Sequence, residues 1–449
     1  MSQWRTVPLS DLPGGFRLDA EFWRSEFLEV ESDVRRLPCT PLGVLSLSLR
    51  KGVFNILAES YVEKGIPFYR SSNVGRIVPK TTEVAYITEE RHEEEKKTAL
   101  SRGDIMLAKT GKEAASVVLV PECNVSQDVI ALRPDRSRIN PFYLAVFLNT
   151  AHGILQMRRW FQGQVQLHLS LPDAREILVP ILNDKVQCAV ESLVVQSERR
   201  DREAYDAVAS AESRLVESLA LDTVELTPER TYTRRFKELQ EEGRIDAEYF
   251  RPKYQEIIKR LRKGGLTLAD VAPLSERLFV AAKSNEPTFR YIEIGSITAD
   301  GEAVEEQVAV EDAPSRATWV VGAGDVITST VRPLRRLSSL IRPDQEGCVC
   351  SSGFAVLSPK AGAGDLEAEV LLTYLRLPLI CEILDLHTTA SMYPAIPLDR
   401  LMRFPVVRPE KAVREYIVEK VQAAAAARRA GASLREKARQ IVEVAINEQ

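Results

Sequence analysis

At 449 residues the chain exceeds one ordinary domain, and 45 % apolar with 28 % charged residues is the balance of a protein with buried cores, not of a disordered or fibrous one. No apolar run reaches the roughly 18–20 residues that span a bilayer, and the start MSQWRTVPLSDLPGG carries neither a basic-apolar signal pattern nor a small-residue cleavage site, so a cytoplasmic protein without membrane contact is expected. A formal charge of −4 argues against indiscriminate polyanion binding yet leaves room for a local basic face, while six scattered cysteines and four histidines without ligand spacing point to buried free thiols and no metal.

The first predicted element is RLDAEFWR (17–24), where Leu18, Phe22 and Trp23, with Phe27 one turn later, fall on one face of a short helix that Asp19 would cap. Short apolar runs bounded by Gly, Pro and Asp follow: DIMLAKT, SVVLVP and DVIALRP read as strands and turns. INPFYLAVFLNTAHGILQMRRW (139–160) has helical spacing through Tyr143, Phe147, Leu148, Ile154 and Leu155. From 184 to 221 there is no Gly or Pro, and Val186, Val190, Leu193, Ala204, Val208, Ala211, Leu215 and Leu219 recur at three- and four-residue steps, which predicts a long helix with an apolar seam.

The chain then begins again. RIDAEYFR (244–251) repeats the opening phrase, with Ile245, Tyr249 and Phe250, then Tyr254, in the apolar places. IPFYRSSNVG (66–75) matches TFRYIEIGSIT (288–298), pairing Val74 with Ile297; RGDIMLAKT (102–110) matches AGDVITSTV (323–331), and SVVLVP matches SSLIRP. CNVSQDVIALRP (123–134) matches CVCSSGFAVLSP (348–359), and LPDAREILVP, ending at Pro180, matches IPLDRLMRFP, ending at Pro405. LEAEVLLTYLRLPLICEILDL mirrors the helical stretch at 139–160, and a second long helix is predicted over 410–446 through Val413, Ile417, Val421, Leu434, Ala438, Ile441 and Ala445.

Such a period is far longer than the about 20–50 residues of a solenoid repeat, so the reading is two related α+β domains, each followed by a long helix. The boundaries are 1–180 and 226–405 for the domains, 181–225 and 406–449 for the helices. A lone helix of ~57 Å at 1.5 Å per residue is poorly stable in water, so the two seams are expected to pack as an antiparallel coiled-coil spacer.

This order and duplication, with the blocks GIPFYRSSNV, RGDIMLAKTG and INPFYLAVFLNT…GQVQLHLSLPDAREILVPIL, resembles the DNA-specificity subunit of type I restriction-modification systems over nearly the whole chain. The resemblance implies two target-recognition domains, each reading half of a split double-stranded DNA sequence, and helices that hold the halves apart while docking two adenine-methyltransferase subunits. Restriction translocase subunits are further implied partners. The subunit itself would be non-catalytic and without cofactor, S-adenosylmethionine belonging to the partner methyltransferase. Where the first half has IMLAKTGKEAAS the second has VITSTVRPLRRLSS, and TTASMYPAIPL replaces GQVQLHLSLPD. Alternatives are an accessory DNA-binding subunit of another phage-defence methylation system, or a protein-interaction scaffold without DNA.

Motifs for catalysis are missing. AKTGKEAAS (108–116) lacks the upstream glycine and the Ser or Thr of a P-loop, Glu113 following Lys112. NPFY (140–143) departs from the Asn-Pro-Pro-Tyr of amino methyltransferases and reads as a helix start with Asn140 as cap and Pro141 in the first turn. RPDRSR and RPDQEG read as turns, and no nucleophile-elbow pattern appears.

Duplex recognition instead needs Lys and Arg for phosphates and Arg, Asn, Gln, Ser or Tyr for base edges. In the first half the candidates are Arg70, Ser71, Ser72, Asn73, Lys109, Thr110, Lys112, Arg158, Arg159, Gln162, Gln164, Gln166 and His168. In the second half they are Ser329, Thr330, Arg332, Arg335, Arg336, Thr388, Thr389, Ser391 and Tyr393.

Overall fold

A computed structural model describes residues 17, 19–54, 56, 58–81, 83–163, 167–224, 231–359, 366–389 and 392–448. The chain forms a mixed α+β fold of two compact units, Met1–Arg202 with Ala427–Gln449, and Glu203–Ala426.

The first unit opens on a turn in which Asp19 accepts the Phe22 amide hydrogen at 3.1 Å and pairs with Arg17 at 2.9 Å. The helix Ser25–Arg35 then buries Phe27, Val30 and Val34. A four-stranded antiparallel sheet runs in the order Ser46–Lys51, Val129–Pro134, Ile105–Ala108, Ala115–Val117. Its strand Ile105–Ala108 is buried on both faces because alternate side chains point opposite ways: Ile105 and Leu107 enter one core, Met106 and Ala108 another. A second sheet of five strands holds Ile66–Tyr69 parallel to Glu122–Val125.

The helical stretch at 139–160 is divided. Asn140 caps Pro141–Phe147 by accepting from the Phe142 and Tyr143 amides, and Thr150 starts a new helix, Ala151–Trp160, by accepting from Gly153. Gly153 is required there, since a Cβ would stand 2.3 Å from the Phe147 carbonyl oxygen. Buried Tyr143 donates its hydroxyl to the Pro180 carbonyl at 2.6 Å. Val190 and Val194 of the long helix Asp184–Ser218 share the first unit's core with Ala438, Val442 and Ile446 of the helix Lys411–Asn447. Arg435 pairs with Asp201 at 2.5 Å, beside Gly431, whose missing side chain leaves room for the Asp201 carboxylate.

The second unit reproduces this plan. Asp246 accepts the Tyr249 amide hydrogen at 3.1 Å and pairs with Arg244 at 2.6 Å, and the helix Pro252–Arg262 follows. The strand Val326–Ser329 lies between Ser338–Leu340 and Phe354–Leu357, sending Val326 into one core and Ile327 into another. Thr288–Ile292 is parallel to Val349–Ser351, as its counterpart is in the first unit. The paired Val74 and Ile297 both sit buried immediately after matching 3-10 turns, Ser71–Asn73 and Ile294–Ser296. Helices Ala368–Arg376 and Pro378–Asp385 meet at Leu377, and Tyr374 donates to the Pro405 carbonyl at 2.7 Å. Ala211, Leu215 and Leu219 share this unit's larger core with Val413 and Ile417.

Three expectations change. The phrase at 17–24 is a capped turn, not a helix: the chain is still extended at Arg24 (φ −57, ψ 142), and the helix begins at Ser25; Leu18 lies outside the described residues. Each shorter predicted helix is two helices, broken where Thr150 recaps the chain in one case and Pro378 restarts it in the other. Among the thiols, Cys188 is exposed and Cys39 half-buried, while Cys123, Cys348, Cys350 and Cys381 are buried.

Candidate nucleic-acid interface

In the first unit the backbone gathers three of the proposed groups. The turn after strand Ile105–Ala108 is held against the segment before Ser170: the Leu169 amide donates to the Lys109 carbonyl at 2.9 Å, and Thr110 forms a β-bridge with His168. Gln162 and His168 exchange both backbone hydrogen bonds, at 2.9 and 2.8 Å. Ser71 donates its hydroxyl to the Thr110 carbonyl at 3.4 Å, which draws in the 3-10 turn carrying Ser72. Lys109, Thr110, Gln162, His168 and Ser71 therefore belong to one cluster, whereas Gln164 and Gln166 lie outside the described residues.

The side chains within this cluster differ in availability. Arg70 and Ser72 are exposed, with the Arg70 guanidinium 5.4 Å from the centroid of the Tyr61 ring. Asn73 is buried and accepts the Arg70 amide hydrogen at 2.9 Å, a structural cap. Thr110 is buried, and Gln162 donates to Asp173 at 2.9 Å. Lys112 is half-buried and has no acidic partner among the described residues; burial, and then the charge of Lys80, push its pKa down to about 8. His168 keeps a buried Nδ1 without a hydrogen-bond partner among the described residues.

Neighbouring arginines 158 and 159 have opposite fates. Arg158 is exposed and pairs with Glu113 at 2.9 Å. Arg159, 8 % exposed, donates to the Phe22 carbonyl at 3.0 Å, pairs with Glu31, and lies 4.1 Å from the Phe22 ring centroid. Its charge is committed to Glu31 of the helix Ser25–Arg35 and to the Phe22 carbonyl of the opening turn, which removes it from the surface set. A rotation of about 100° per helical residue explains the difference.

The second unit assembles the corresponding cluster by the same connections. The Ile396 amide donates to the Thr330 carbonyl at 2.9 Å, the Arg332 amide to the Pro394 carbonyl at 2.8 Å, and Thr389 and Ala395 exchange hydrogen bonds at 2.8 and 3.2 Å. Ser329 and Thr330 are buried, with hydroxyls donated to the Val331 and Gly353 carbonyls. Thr388 donates to the Asp385 carbonyl at 2.7 Å, Thr389 is exposed, and Ser391 lies outside the described residues.

The three arginines here also divide. Arg332 and Arg335 are exposed, and neither forms an ion pair among the described residues; Arg332 donates to the Met392 carbonyl at 3.3 Å. Arg336 is turned inward, donating to the Arg376 carbonyl at 2.6 Å and pairing with Glu212 at 2.5 Å. Arg332 and Arg336 both hold left-handed backbone, φ 50 and 57, a conformation that costs a bulky residue energy and recurs at functional turns.

Several neighbours went unnoticed in the sequence. Lys80 stands near Lys112, and Leu167, Leu334 and Met392 expose apolar surface beside the cations, Met392 by 78 %, next to the predicted Tyr393, itself 70 % exposed. Only the duplication could have located Met392, since it falls in the segment matching GQVQLHLSLPD. Among the described residues no three His, Cys, Asp or Glu side chains gather as a metal-ligand set, and no helix is long and apolar enough to cross a membrane.

No family model matches the sequence, and no curated protein does. Solved structures do match along most of the chain. One is the type I restriction-modification system S subunit from M. genitalium, at 11 % identity and TM-score 0.43, covering 91 % of this chain and 96 % of that one. A structure described as the basis of complex assembly and conformational transition of the type I R-M system matches at 16 % identity and TM-score 0.29, covering 91 % of this chain and 98 % of that one. The HsdS subunit from Thermoanaerobacter tengcongensis matches at 16 % identity and TM-score 0.27, covering 91 % of this chain and 97 % of that one, so the solved structures similar to this chain include type I specificity subunits.

Proposed function

We propose that this chain recognises a bipartite double-stranded DNA sequence and serves as the scaffold for adenine-methyltransferase subunits, with restriction translocase subunits as further partners. Its support comes from this chain's own residues. One observation carries the reading: two units share the capped turn, the doubly buried strand and the tyrosine clamp, yet differ in the polar residues of the clusters that those parts support. A catalytic duplication would repeat the reacting groups; a pair of readers for different bases repeats the scaffold and varies the tips.

The proposed division is 1–180 and 226–405 for two target-recognition domains, with 181–225 and 406–449 as helices packed into an antiparallel coiled-coil spacer. The cores that join Val190 and Val194 to Ala438, Val442 and Ile446, and Ala211 and Leu215 to Val413 and Ile417, support that arrangement. In the proposed surface set are Arg70, Ser72, Lys109, Lys112, His168, Arg332, Arg335, Thr389 and Tyr393. The chain is proposed to do no chemistry and to need no cofactor of its own.

Methylation mapping of cells carrying this gene with its partner genes tests the proposal. A two-part motif with a fixed gap is expected, the gap staying below about 17 base pairs if helices of ~57 Å limit it. Deleting four residues, about one turn, from the helix Asp184–Ser218 should change the gap. Methylation at an undivided motif, or at none, would defeat the reading.

A further inference from the structure

The second cluster holds apolar surface where a purely electrostatic DNA contact would need none. Met392 and Tyr393 lie between Thr389 and Ala395, the two residues that exchange backbone hydrogen bonds, and are 78 % and 70 % exposed. The Tyr393 ring has the Arg332 guanidinium 5.7 Å from its centroid, and Arg332 also donates to the Met392 carbonyl at 3.3 Å. Leu334, 55 % exposed, belongs to the turn of Arg332 and Arg335, whose charges have no acidic partner among the described residues. In the first unit Gln162 and His168 exchange the corresponding pair of hydrogen bonds, and Leu167 there is 49 % exposed.

A patch that combines a flat aromatic face, a thioether and two guanidinium groups without an acidic partner among the described residues suits one kind of surface: stacked, apolar planes edged by negative charge. That is a base step between two phosphates. An exposed Tyr leaves water at little cost when a base covers its face, and exposed side chains of this type insert between steps, where they unstack the pair locally. The Arg332 guanidinium over the ring restricts it and stays close enough to meet the flanking phosphate.

We propose that Tyr393, supported by Met392 and Arg332, is a stacking wedge that enters a base step in the half of the target read by the second unit. This rests on the DNA-recognition reading above and deepens it. The wedge makes local unstacking, in addition to hydrogen bonds at base edges, a determinant of which sequence is accepted. Pyrimidine–purine steps, which unstack most readily, are the favoured points of insertion.

The test uses the full chain with its methyltransferase subunits and a pool of 40-base-pair duplexes of random sequence, selected for retention by the wild-type assembly. Selected duplexes are probed with permanganate, which oxidises unstacked thymines, and titrated with wild type, Tyr393→Phe, Tyr393→Ala and Met392→Ala. A hyper-reactive thymine is expected at one fixed position with wild type and Tyr393→Phe, and absent with Tyr393→Ala, which should bind about tenfold more weakly. The salt dependence of Tyr393→Ala should parallel wild type, because stacking releases no counterion. Equal affinity and an unchanged permanganate pattern in Tyr393→Ala would overturn the wedge while leaving DNA recognition standing. Loss of methyltransferase subunits from Tyr393→Ala would also overturn it, by assigning the tip to a protein contact. Failure of the wild-type assembly to enrich any duplex would overturn the DNA reading and the wedge together.

Discussion

Arg332 and Arg335 can be separated experimentally from Arg336, although all three lie within five residues of sequence. The first two are exposed and free of ion pairs among the described residues, so each is expected to neutralise one phosphate; Arg336 is spent on Glu212 and the Arg376 carbonyl. Each neutralised phosphate steepens the logarithmic salt dependence of binding by about 0.9, so Arg332→Ala with Arg335→Ala should reduce the slope by about 1.8. Raising salt fourfold, from about 50 to about 200 mM, should then narrow the affinity gap between wild type and the double variant by about tenfold. Arg336→Ala should leave the slope alone and lower stability by about 1–2 kcal/mol, the figure held down by partial solvent exposure of its ion pair with Glu212. Fluorescence anisotropy across a salt series on a mixed-sequence duplex, with thermal unfolding in parallel, reads both quantities. Parallel salt plots for wild type and the double variant would refute phosphate contact by Arg332 and Arg335. A reduced slope with unaltered stability in Arg336→Ala would refute its inward assignment.

Three further outcomes are expected. Lys112, with its pKa pushed down to about 8 by burial and by Lys80, should lose its charge between pH 7 and 9; duplex affinity should fall over that range in wild type but stay level in Lys112→Arg, as titrations at constant ionic strength would reveal. The pKa of His387 is pushed down from 6.5 to about 4 by burial, with Arg244 and Arg400 adding to it. Because the folded chain then binds fewer protons than the unfolded chain below pH 6.5, stability should decline as pH falls toward 4, by about 2 kcal/mol at pH 5; a denaturant midpoint that shifts equally in His387→Gln would count against this. Tyr143→Phe and Tyr374→Phe should each cost about 1–2 kcal/mol by leaving the Pro180 or Pro405 carbonyl unpaired, and grossly unequal losses in urea unfolding would contradict the equivalence of the two clamps.

The duplication was legible because it is written in residues whose identity the backbone requires. Asp19 and Asp246 are small acceptors at the one place where a turn leaves an amide free, and Val74 and Ile297 fill the same buried position after a 3-10 turn. The alternating strands were legible in part: DIMLAKT reads as a buried run, but only the second core behind it shows why all four strand residues are apolar. Direction was the illegible quantity. Arg158 and Arg159 are identical letters, and Arg335 and Arg336 likewise, yet one of each pair turns inward onto distant partners, Arg159 onto Glu31 and the Phe22 carbonyl, Arg336 onto Glu212 and the Arg376 carbonyl. The apolar tip at Met392 was also hidden, since an exposed methionine has the same signature in sequence as a buried one.

The doubly buried strands set a limit on where the sequence of the proposed recognition clusters can change. Successive residues of Ile105–Ala108 pack into two different cores, as do Val326 and Ile327, whereas Gly111, Arg332, Leu334 and Arg335 beyond them are exposed. Heritable variation is thus channelled beyond a border that falls at Gly111 in one unit and Arg332 in the other. New preferences can accumulate beyond that border without eroding foldability, and the two units can diversify independently because each border belongs to its own pair of cores.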